Sequence, residues 1–330
     1  MNADARFALE VRILDPDGSW HTVGYLYNAN EANWFETLDS YWETPNRPVL
    51  GQIFEERGRG WRPTHRVALP NWFSHMLPEG RLRQAVSNAA GVNEKREFFL
   101  IARIGTEDLP GATTVTPVDV ADGSVLEHPE IEPAIEESDE DPLLKFSLAG
   151  VQLKYSVTYE PDRGLTVPAQ GQAGNCIVKL PDGRPGFEGV PEAECGSLEL
   201  ARRSGIAVPK TQLVEVAEIV GLPDAVVASA RGKALAVERF DRVGASGRIH
   251  AEELAQVLDV PAGQENFKYQ RANFETVAAL VSALCGEDEV AQVIDRIVLN
   301  VLVGNGDAHL KNWAIIYPDG RRPSLSLDIS

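Results

Sequence analysis

Cysteine is scarce in this 330-residue chain, and positive charge is in short supply. The three cysteines, Cys176, Cys195 and Cys285, are odd in number and far apart. They offer no disulfide framework and no metal-ligand spacing, which fits a reducing cytoplasm. Lysine and arginine total 31 against 49 aspartates and glutamates, a formal net charge of -18. A phosphate backbone needs a positive face, so direct nucleic-acid binding is disfavoured, although a basic patch or a DNA-binding partner is compatible with this balance. No apolar run approaches the length that spans a bilayer, so no membrane association is expected. Met1 to Glu10 lacks a basic start followed by an apolar core, and no signal peptide is expected. There is no internal repeat.

What is present is an ordinary globular composition, long enough for two or three domains. Phe7 to Asp15 alternates as a strand, Pro16-Asp17-Gly18 turns, and Trp20 to Tyr27 reads as the return strand. Helical runs follow over Asn71 to Met76, Arg81 to Ala90 and Glu94 to Arg103, then a short strand over Gly111 to Val115. From Val118 to Asp141 acidic residues crowd in with prolines 129 and 133, while large apolar residues become few. Such a stretch cannot bury enough surface to offset its ordering entropy. It reads as a solvated linker, with a recruiting acidic tail as the alternative.

Beyond the linker, Ser147 to Lys154 carries a Ser-x-x-Gly between apolar residues. It is either a strand-turn or a loop whose backbone N–H groups approach phosphates, and it lacks the Walker pattern. Asn175 to Pro181 is an apolar strand with one lysine, Lys179. That is the layout of the kinase lysine that meets ATP phosphates, or else of an edge-strand lysine facing water. A Gly/Pro-rich loop leads to a helix over Glu192 to Ser204, expected to bury Leu198, Leu200 and Ala201. Glu194 near its start is placed to meet Lys179 or a Mg²⁺ network, or simply to favour the helix dipole. Strands are expected over Ile206 to Val214 and Ala234 to Arg242. The charged end of the second, Glu238-Arg239-Phe240-Asp241-Arg242, is either an adenine-binding hinge or an ion-paired surface. From His250 onward the chain reads as mainly helical, over Glu252 to Leu258, Phe274 to Leu284 and Val290 to Val303.

Asn305-Gly306-Asp307-Ala308-His309-Leu310-Lys311-Asn312 lies between the last helix and a strand-like run, Trp313 to Tyr317. An aspartate and an asparagine five residues apart on such a loop suit phosphoryl transfer: the carboxylate orients the attacking hydroxyl, and the amide oxygen holds Mg²⁺. A second metal carboxylate must come from further along, and Asp328 follows. Asn-Gly is also a strong turn signal in its own right.

Taken in order, six stretches resemble the HipA family of serine/threonine-protein kinase toxins. They are Trp72 to Arg83 (WFSHMLPEGRLR), Ile104-Gly105 with Pro110-Gly111-Ala112, Ser147 to Lys154 (SLAGVQLK), Ile177 to Pro181 (IVKLP), Val237 to Arg242 (VERFDR), and Asn305 to Asn312 (NGDAHLKN). The resemblance implies an α+β chain: a small N-terminal α/β domain over residues 1–117, an acidic linker over 118–142, and a bilobal protein-kinase-like unit over 143–330. The kinase-like unit would have an N-lobe over 143–243 and a partial, mainly helical C-lobe over 244–330. It implies Asp307 as the catalytic aspartate, Asn312 and Asp328 as Mg²⁺ ligands, and Lys179 at the ATP phosphates. Glu238 and Phe240 would hold adenine through backbone atoms. Gly150, Val151, Gln152 and Lys154 would lie against the phosphates, with His309 and Lys311 also at the nucleotide. Ser147 would be the autophosphorylated serine. The implied partners are a helix-turn-helix antitoxin, through which DNA is contacted indirectly, and a protein substrate of the aminoacyl-tRNA synthetase type. Two departures stand beside this. Ser324 to Ser330 is shorter than the family's pattern around the second metal aspartate and lacks its tyrosine. The family also continues for about a hundred more residues, the span of a small domain, so a truncated member is expected. The alternative functions are a catalytically inactive antitoxin- or protein-binding module and a small-molecule kinase with the same Gly-Asp-x-His-x-x-Asn loop.

Overall fold

The computed structural model describes residues 7–105, 108–118, 153–168, 173–184, 187–230, 232–244, 246–262 and 272–326. The first unit is built on β1 (Phe7–Leu14), β2 (Trp20–Ala29), β3 (Ala32–Thr37), β4 (Thr64–Arg66) and β5 (Thr113–Pro117), in the antiparallel order β4-β3-β2-β1-β5. Period-two alternation sets the faces of β1. Phe7, Leu9, Val11 and Ile13 enter the main core, whereas Ala8 joins Tyr27 and Trp34 on the opposite face. Helices α1 (Asp39–Glu43), α2 (Gln52–Arg57), α3 (Asn71–Ser74), α4 (Gly80–Ala89) and α5 (Glu97–Ile104) complete it. The strand expected from Gly111 starts two residues later. Gly111 is in the left-handed region (φ 72°) and its N–H donates to Asp241 Oδ2 at 2.8 Å, so it forms a corner.

The second unit is a sheet of β6 (Lys154–Glu160), β7 (Gly164–Thr166), β8 (Cys176–Lys179), β9 (Thr211–Glu215) and β10 (Lys233–Glu238), ordered β7-β6-β8-β10-β9. Helix α6 (Val190–Arg203) connects β8 to β9 and packs on β10 and β9, and the short α7 (Asp224–Ser229) precedes β10. Leu198 and Ala201 of α6 are buried as expected, but Leu200 is exposed. At about 100° per residue, position 200 lies on nearly the opposite side of the helix from 198. The ladder of β9 begins only at Thr211, after Pro209, which has no N–H to donate. The apolar core of the first sheet continues without a break into this one: Leu109, Ala112 and Val115 belong to the same cluster as Tyr155, Val178 and Ala236.

The third unit corrects the mainly helical expectation. His250 to Glu253 forms β13 (His250–Glu253), which pairs with β14 (Ala314–Tyr317), itself paired with β15 (Ser324–Leu325). A small hairpin, β11 (Arg242–Val243) with β12 (Gly247–Arg248), precedes it. Glu252 is therefore in a strand, and α8 (Leu254–Val257) starts only after it. The partner strand lies some sixty residues downstream, a separation that local periodicity cannot report. Two longer helices, α9 (Phe274–Cys285) and α10 (Val290–Val303), close this unit. Among the described residues no helix is long and apolar enough to cross a membrane.

The first and third units share a seam of buried polar bonds. Trp72 Nε1 donates to Glu252 Oε2 at 3.2 Å and Gln52 N–H to Glu252 Oε1 at 2.9 Å. The Tyr317 hydroxyl donates to the same carboxyl. Gln256 Nε2 donates to Trp72 O at 2.9 Å, Asn71 Nδ2 to Asp259 Oδ1 at 3.0 Å, and the His75 ring bonds Val260 O at 2.8 Å. His250 stacks on Tyr317 and bonds Leu50 O at 2.7 Å. Gly51 permits this approach, because a Cβ there would stand 2.5 Å from Trp72 Nε1.

Burial pushes the Glu252 carboxyl up to about 7, against the hydrogen bonds from Tyr317, Gln52 and Trp72. Burial likewise pulls His250 down to about 4. The raised Glu252 value contributes stability present below pH 4.5 and lost as pH rises through 7, amounting to about 3 kcal/mol. The lowered His250 value acts in the opposite sense: its contribution is present above pH 6.5 and lost as pH falls toward 4. Glu252→Gln keeps the shape and stays neutral. Its stability relative to the unchanged chain should therefore rise between pH 5 and pH 8 by up to about 3 kcal/mol, read from urea unfolding at both values. Curves that keep the same offset at both pH values would show that Glu252 does not hold a proton there.

Candidate active site

Lys179 closes β8, which lies between β6 and β10 near the middle of its sheet. Its side chain is buried and its ammonium pairs with Glu194, one turn into α6. The edge-strand alternative is therefore excluded, and the sequence expectation of a Lys179–Glu194 contact is met. Register places Lys154 of β6 directly opposite Lys179. Opposed positions in an antiparallel pair send their side chains to the same face of the sheet. Gly150, Val151, Gln152 and Ser147, expected beside it, lie outside the described residues, as does the acidic linker from residue 119 on.

β10 ends at Glu238, so the residues expected to form a hinge, Glu238 to Arg242, lie at the strand end and just beyond it. Glu238 is exposed and Phe240 half-buried. The Glu238 N–H donates to Lys210 O at 2.8 Å and the Arg239 N–H to Asn175 O at 2.9 Å, so both donors are already committed. Glu238 makes an exposed pair with Lys210 Nζ at 3.3 Å, so the ion-paired-surface reading holds for that residue, whereas the charged side chains that follow it are buried. Arg239, with its side chain 1% exposed, reaches Asp108 Oδ1 and Asp241 Oδ2, both at 2.8 Å. Arg242 reaches the same two carboxylates at 2.6 and 2.8 Å. Ser156 donates to Asp108 as well. Two arginines and two aspartates thus neutralise each other out of water, and every carboxylate is shared. Burial alone would raise Asp108 and Asp241, but the two guanidiniums outweigh it and hold both carboxyls below their ordinary range. Burial and the nearby Arg242 pull Arg248 down to about 10. Asp108 was not singled out in the sequence. The signal was available in the Gly-Ala corner that follows it, Gly111-Ala112, one residue of which bonds Asp241.

Helix α10 ends at Gly304 (φ 71°), a left-handed cap that turns the chain into the loop of residues 305–312. Asn305 Nδ2 donates to Asn300 Oδ1 at 3.0 Å, and Asn305 Oδ1 accepts the Asp307 N–H at 3.0 Å. The turn reading of Asn-Gly and the catalytic-loop reading thus describe the same backbone. The Asp307 carbonyl accepts from His309 N–H at 2.7 Å and from Asn312 Nδ2 at 2.6 Å. Its carboxylate projects outward, 71% exposed, with His309 Nε2 3.7 Å from Oδ1. Because the Lys311 N–H donates to His309 Nδ1, the ring proton sits on Nε2, the side facing Asp307. The Asn312 amide spends its NH₂ on the loop backbone, which leaves its oxygen as the end that suits a cation. Asp328, the other expected metal ligand, lies outside the described residues, among which no cluster of three or more His, Cys, Asp or Glu side chains suits a metal.

Lys311, expected at the nucleotide, has its ammonium engaged by two carboxylates. Its side chain is 6% exposed and its ammonium is 2.7 Å from Glu79 Oε1 and 3.7 Å from Glu253 Oε2. Burial works against that charge, but Glu253 and Glu79 outweigh it and hold the amine above its ordinary value. The local reason is the 3-10 turn over Leu310–Asn312, which points position 311 back toward the first unit.

A sheet lysine paired to a helix glutamate and an Asp/Asn loop after a helix, in a mixed α/β chain with several antiparallel sheets, are consistent with a kinase-like fold. Comparison with known proteins gives the family. Residues 146–327 match the HipA-like C-terminal domain and residues 19–116 the HipA N-terminal domain, and the chain belongs to the HipA family. It is 39% identical to the "Putative kinase Y4dM" of Sinorhizobium fredii over 325 residues, 96% of this chain and 76% of that one. It is 30% identical to "Putative kinase Y4mE" of the same organism, over 94% and 75% of the two chains. Against the serine/threonine-protein kinase toxin HipA of Shewanella oneidensis it is 26% identical, over 77% of this chain and 61% of that one.

Breaking the buried four-charge cluster should be costly. Asp241→Asn leaves Arg239 and Arg242 short of one negative charge in a site closed to water. A loss of about 3–5 kcal/mol in unfolding free energy is expected, measured by chemical denaturation at pH 7. The contribution of the two depressed carboxyls is present above their ordinary pKa of 3.8 and is lost as pH falls below it, so the deficit should shrink in acid.

Proposed function

We propose that this chain is an ATP- and Mg²⁺-dependent serine/threonine protein kinase of the HipA toxin type, working in the cytoplasm. The observation that carries the reading is the Lys179–Glu194 ion pair between β8 and α6, on the strand that neighbours the hinge strand β10. In protein kinases such a pair fixes the lysine that receives the nucleotide phosphates. The unit over residues 143–330 would act as two lobes, 143–243 and 244–330, with 1–117 as a separate N-terminal domain beyond the acidic segment 118–142. ATP would lie between the lobes, its adenine along Glu238 to Phe240, its phosphates toward Lys154 and Lys179 and the stretch Gly150 to Gln152.

Asp307 orients the acceptor hydroxyl and receives its proton as the oxygen–phosphorus bond forms and the bond from the γ-phosphorus to ADP breaks. His309 faces the Asp307 carboxylate and limits its rotation. Asn312 and Asp328 would hold Mg²⁺, which supplies neutralisation of phosphate charge when bound. Ser147, just ahead of the proposed phosphate-facing stretch, is the expected site of autophosphorylation. A phosphate there adds nearly two negative charges beside Gly150 and would repel the nucleotide. The proposed partners are a helix-turn-helix antitoxin, which would carry the DNA contact for this acidic chain, and a protein substrate of the aminoacyl-tRNA synthetase class.

Two variants separate the roles. Lys179→Ala should weaken ATP binding by at least about tenfold, since it removes a charge-assisted contact, with the fold retained. Asp307→Asn should leave Mg-ATP bound but lower transfer by about 10²–10³-fold. Calorimetry reads the first, and intact mass after incubation with Mg-ATP reads the second. Unchanged ATP affinity in Lys179→Ala would remove that lysine from the site. Transfer undiminished in Asp307→Asn would remove the aspartate. An unchanged chain that binds no ATP and gains no phosphate would favour the protein-binding alternative.

A further inference from the structure

Glu79 lies far from the kinase-like unit in sequence, yet it bonds the loop that carries Asp307. It belongs to the first unit, at the residue that caps the start of α4, between Pro78 and Gly80. Its neighbours fix it from behind. Leu77 is fully buried, Gly80 is in the left-handed region (φ 53°), and Arg83 one turn on binds Glu97 Oε1 at 2.8 Å and Glu94 O at 2.7 Å. Glu97 in turn accepts the Leu69 N–H and a bond from Ser74. The carboxylate of Glu79 is thus mounted on a braced corner.

Lys311 is the receiving group, and its backbone is part of the candidate catalytic loop. Its N–H donates to the His309 ring. The His309 carbonyl accepts the Asn312 N–H at 2.9 Å, and both residues bond the Asp307 carbonyl. Any shift of the Lys311 side chain is therefore passed to Asp307 and Asn312 through three short links. A buried ammonium that loses one of its two carboxylates will move to recover charge or water. We infer that Glu79 is a positioning residue: by holding Lys311 it makes the N-terminal unit set the geometry of the Asp307–Asn312 loop. The catalytic consequence rests on the kinase reading above; the mechanical coupling does not.

The test uses the full chain with Glu79→Gln, Lys311→Met and the two together. Hydrogen exchange of the peptide covering residues 305–313 reads the loop directly, without activity. Exchange at least about tenfold faster in Glu79→Gln is expected, because the bonded amides at 307, 309, 311 and 312 lose their brace. Lys311→Met should show the same loosening, and adding Glu79→Gln to it should change little, since the partner is already gone. Steady-state kinetics then separate positioning from binding. kcat should fall by about 10- to 100-fold, the scale of a misplacement near 1 Å, while KM for ATP stays within about threefold. Glu79→Asp, which keeps the charge on a shorter arm, should recover part of kcat. Unchanged exchange in Glu79→Gln would overturn the coupling, as would full additivity of the two substitutions. A rise in KM with kcat preserved would overturn the positioning role. If the unchanged chain transfers no phosphate, the kinase reading fails on its own, and the exchange comparison still decides the coupling.

Discussion

Asp108, Arg239, Asp241 and Arg242 are withdrawn from water at the point where three segments meet: the corner before β5, the end of β10, and the start of the β11–β12 hairpin. Removing four charges from water is expensive, and only close mutual contact offsets it. The geometry is therefore narrow. Gly111 must turn left-handed to present its N–H to Asp241, and Ser156 must face Asp108 from β6. Once this arrangement forms, the segment after β10 has little freedom relative to the first sheet. The shared apolar core beneath it, from Leu109 and Val115 to Val178 and Ala236, locks the same relation with non-directional contacts. Specificity of orientation comes from the charges, and most of the burial comes from the core.

The elements that local pattern could report were legible. β1, β2, β8, α4, α6, α9 and α10 lie close to where periodicity and turn residues put them. The failures share a cause. β13 was read as the start of a helix because its partner β14 is distant in sequence. Leu200 was expected on the buried face from apolar spacing, but two residues from Leu198 is about 200° around the helix, and it is exposed. The VERFDR end of β10 was legible as charged, but whether those charges sit at the surface or inside depends on Asp108, about 130 residues away. The Lys179–Glu194 contact was legible as one of the readings a lone lysine on an apolar strand and a glutamate at the next helix start allow. The Lys311–Glu79 contact was not. No local rule links a capping residue in one unit to a loop lysine in another.

In a strongly acidic chain, charge has to be arranged locally. The net charge of -18 repels phosphate at long range, although screening at physiological salt confines that effect to about 8 Å. Within the candidate site Lys154 and Lys179 occupy opposed positions on neighbouring strands, and Lys179 is paired with Glu194. The carboxylates nearby are engaged: Glu194 with Lys179, Glu79 and Glu253 with Lys311. The Asp307 carboxylate faces outward, 71% exposed, with the His309 ring beside it at 3.7 Å.

The long span between bonded partners also governs how the chain is made. Asp108 meets its guanidinium partners 131 and 134 residues later, and Glu79 meets Lys311 after 232. At about 5–20 residues per second of synthesis, on the order of 10 s pass between the emergence of Asp108 and that of Arg239. During that interval the first sheet is complete in sequence but lacks its charge partners and the neighbouring sheet that covers Leu109, Ala112 and Val115. The nascent chain therefore exposes apolar surface on the ribosome until β10 arrives, and in that window a holding chaperone has a surface to bind.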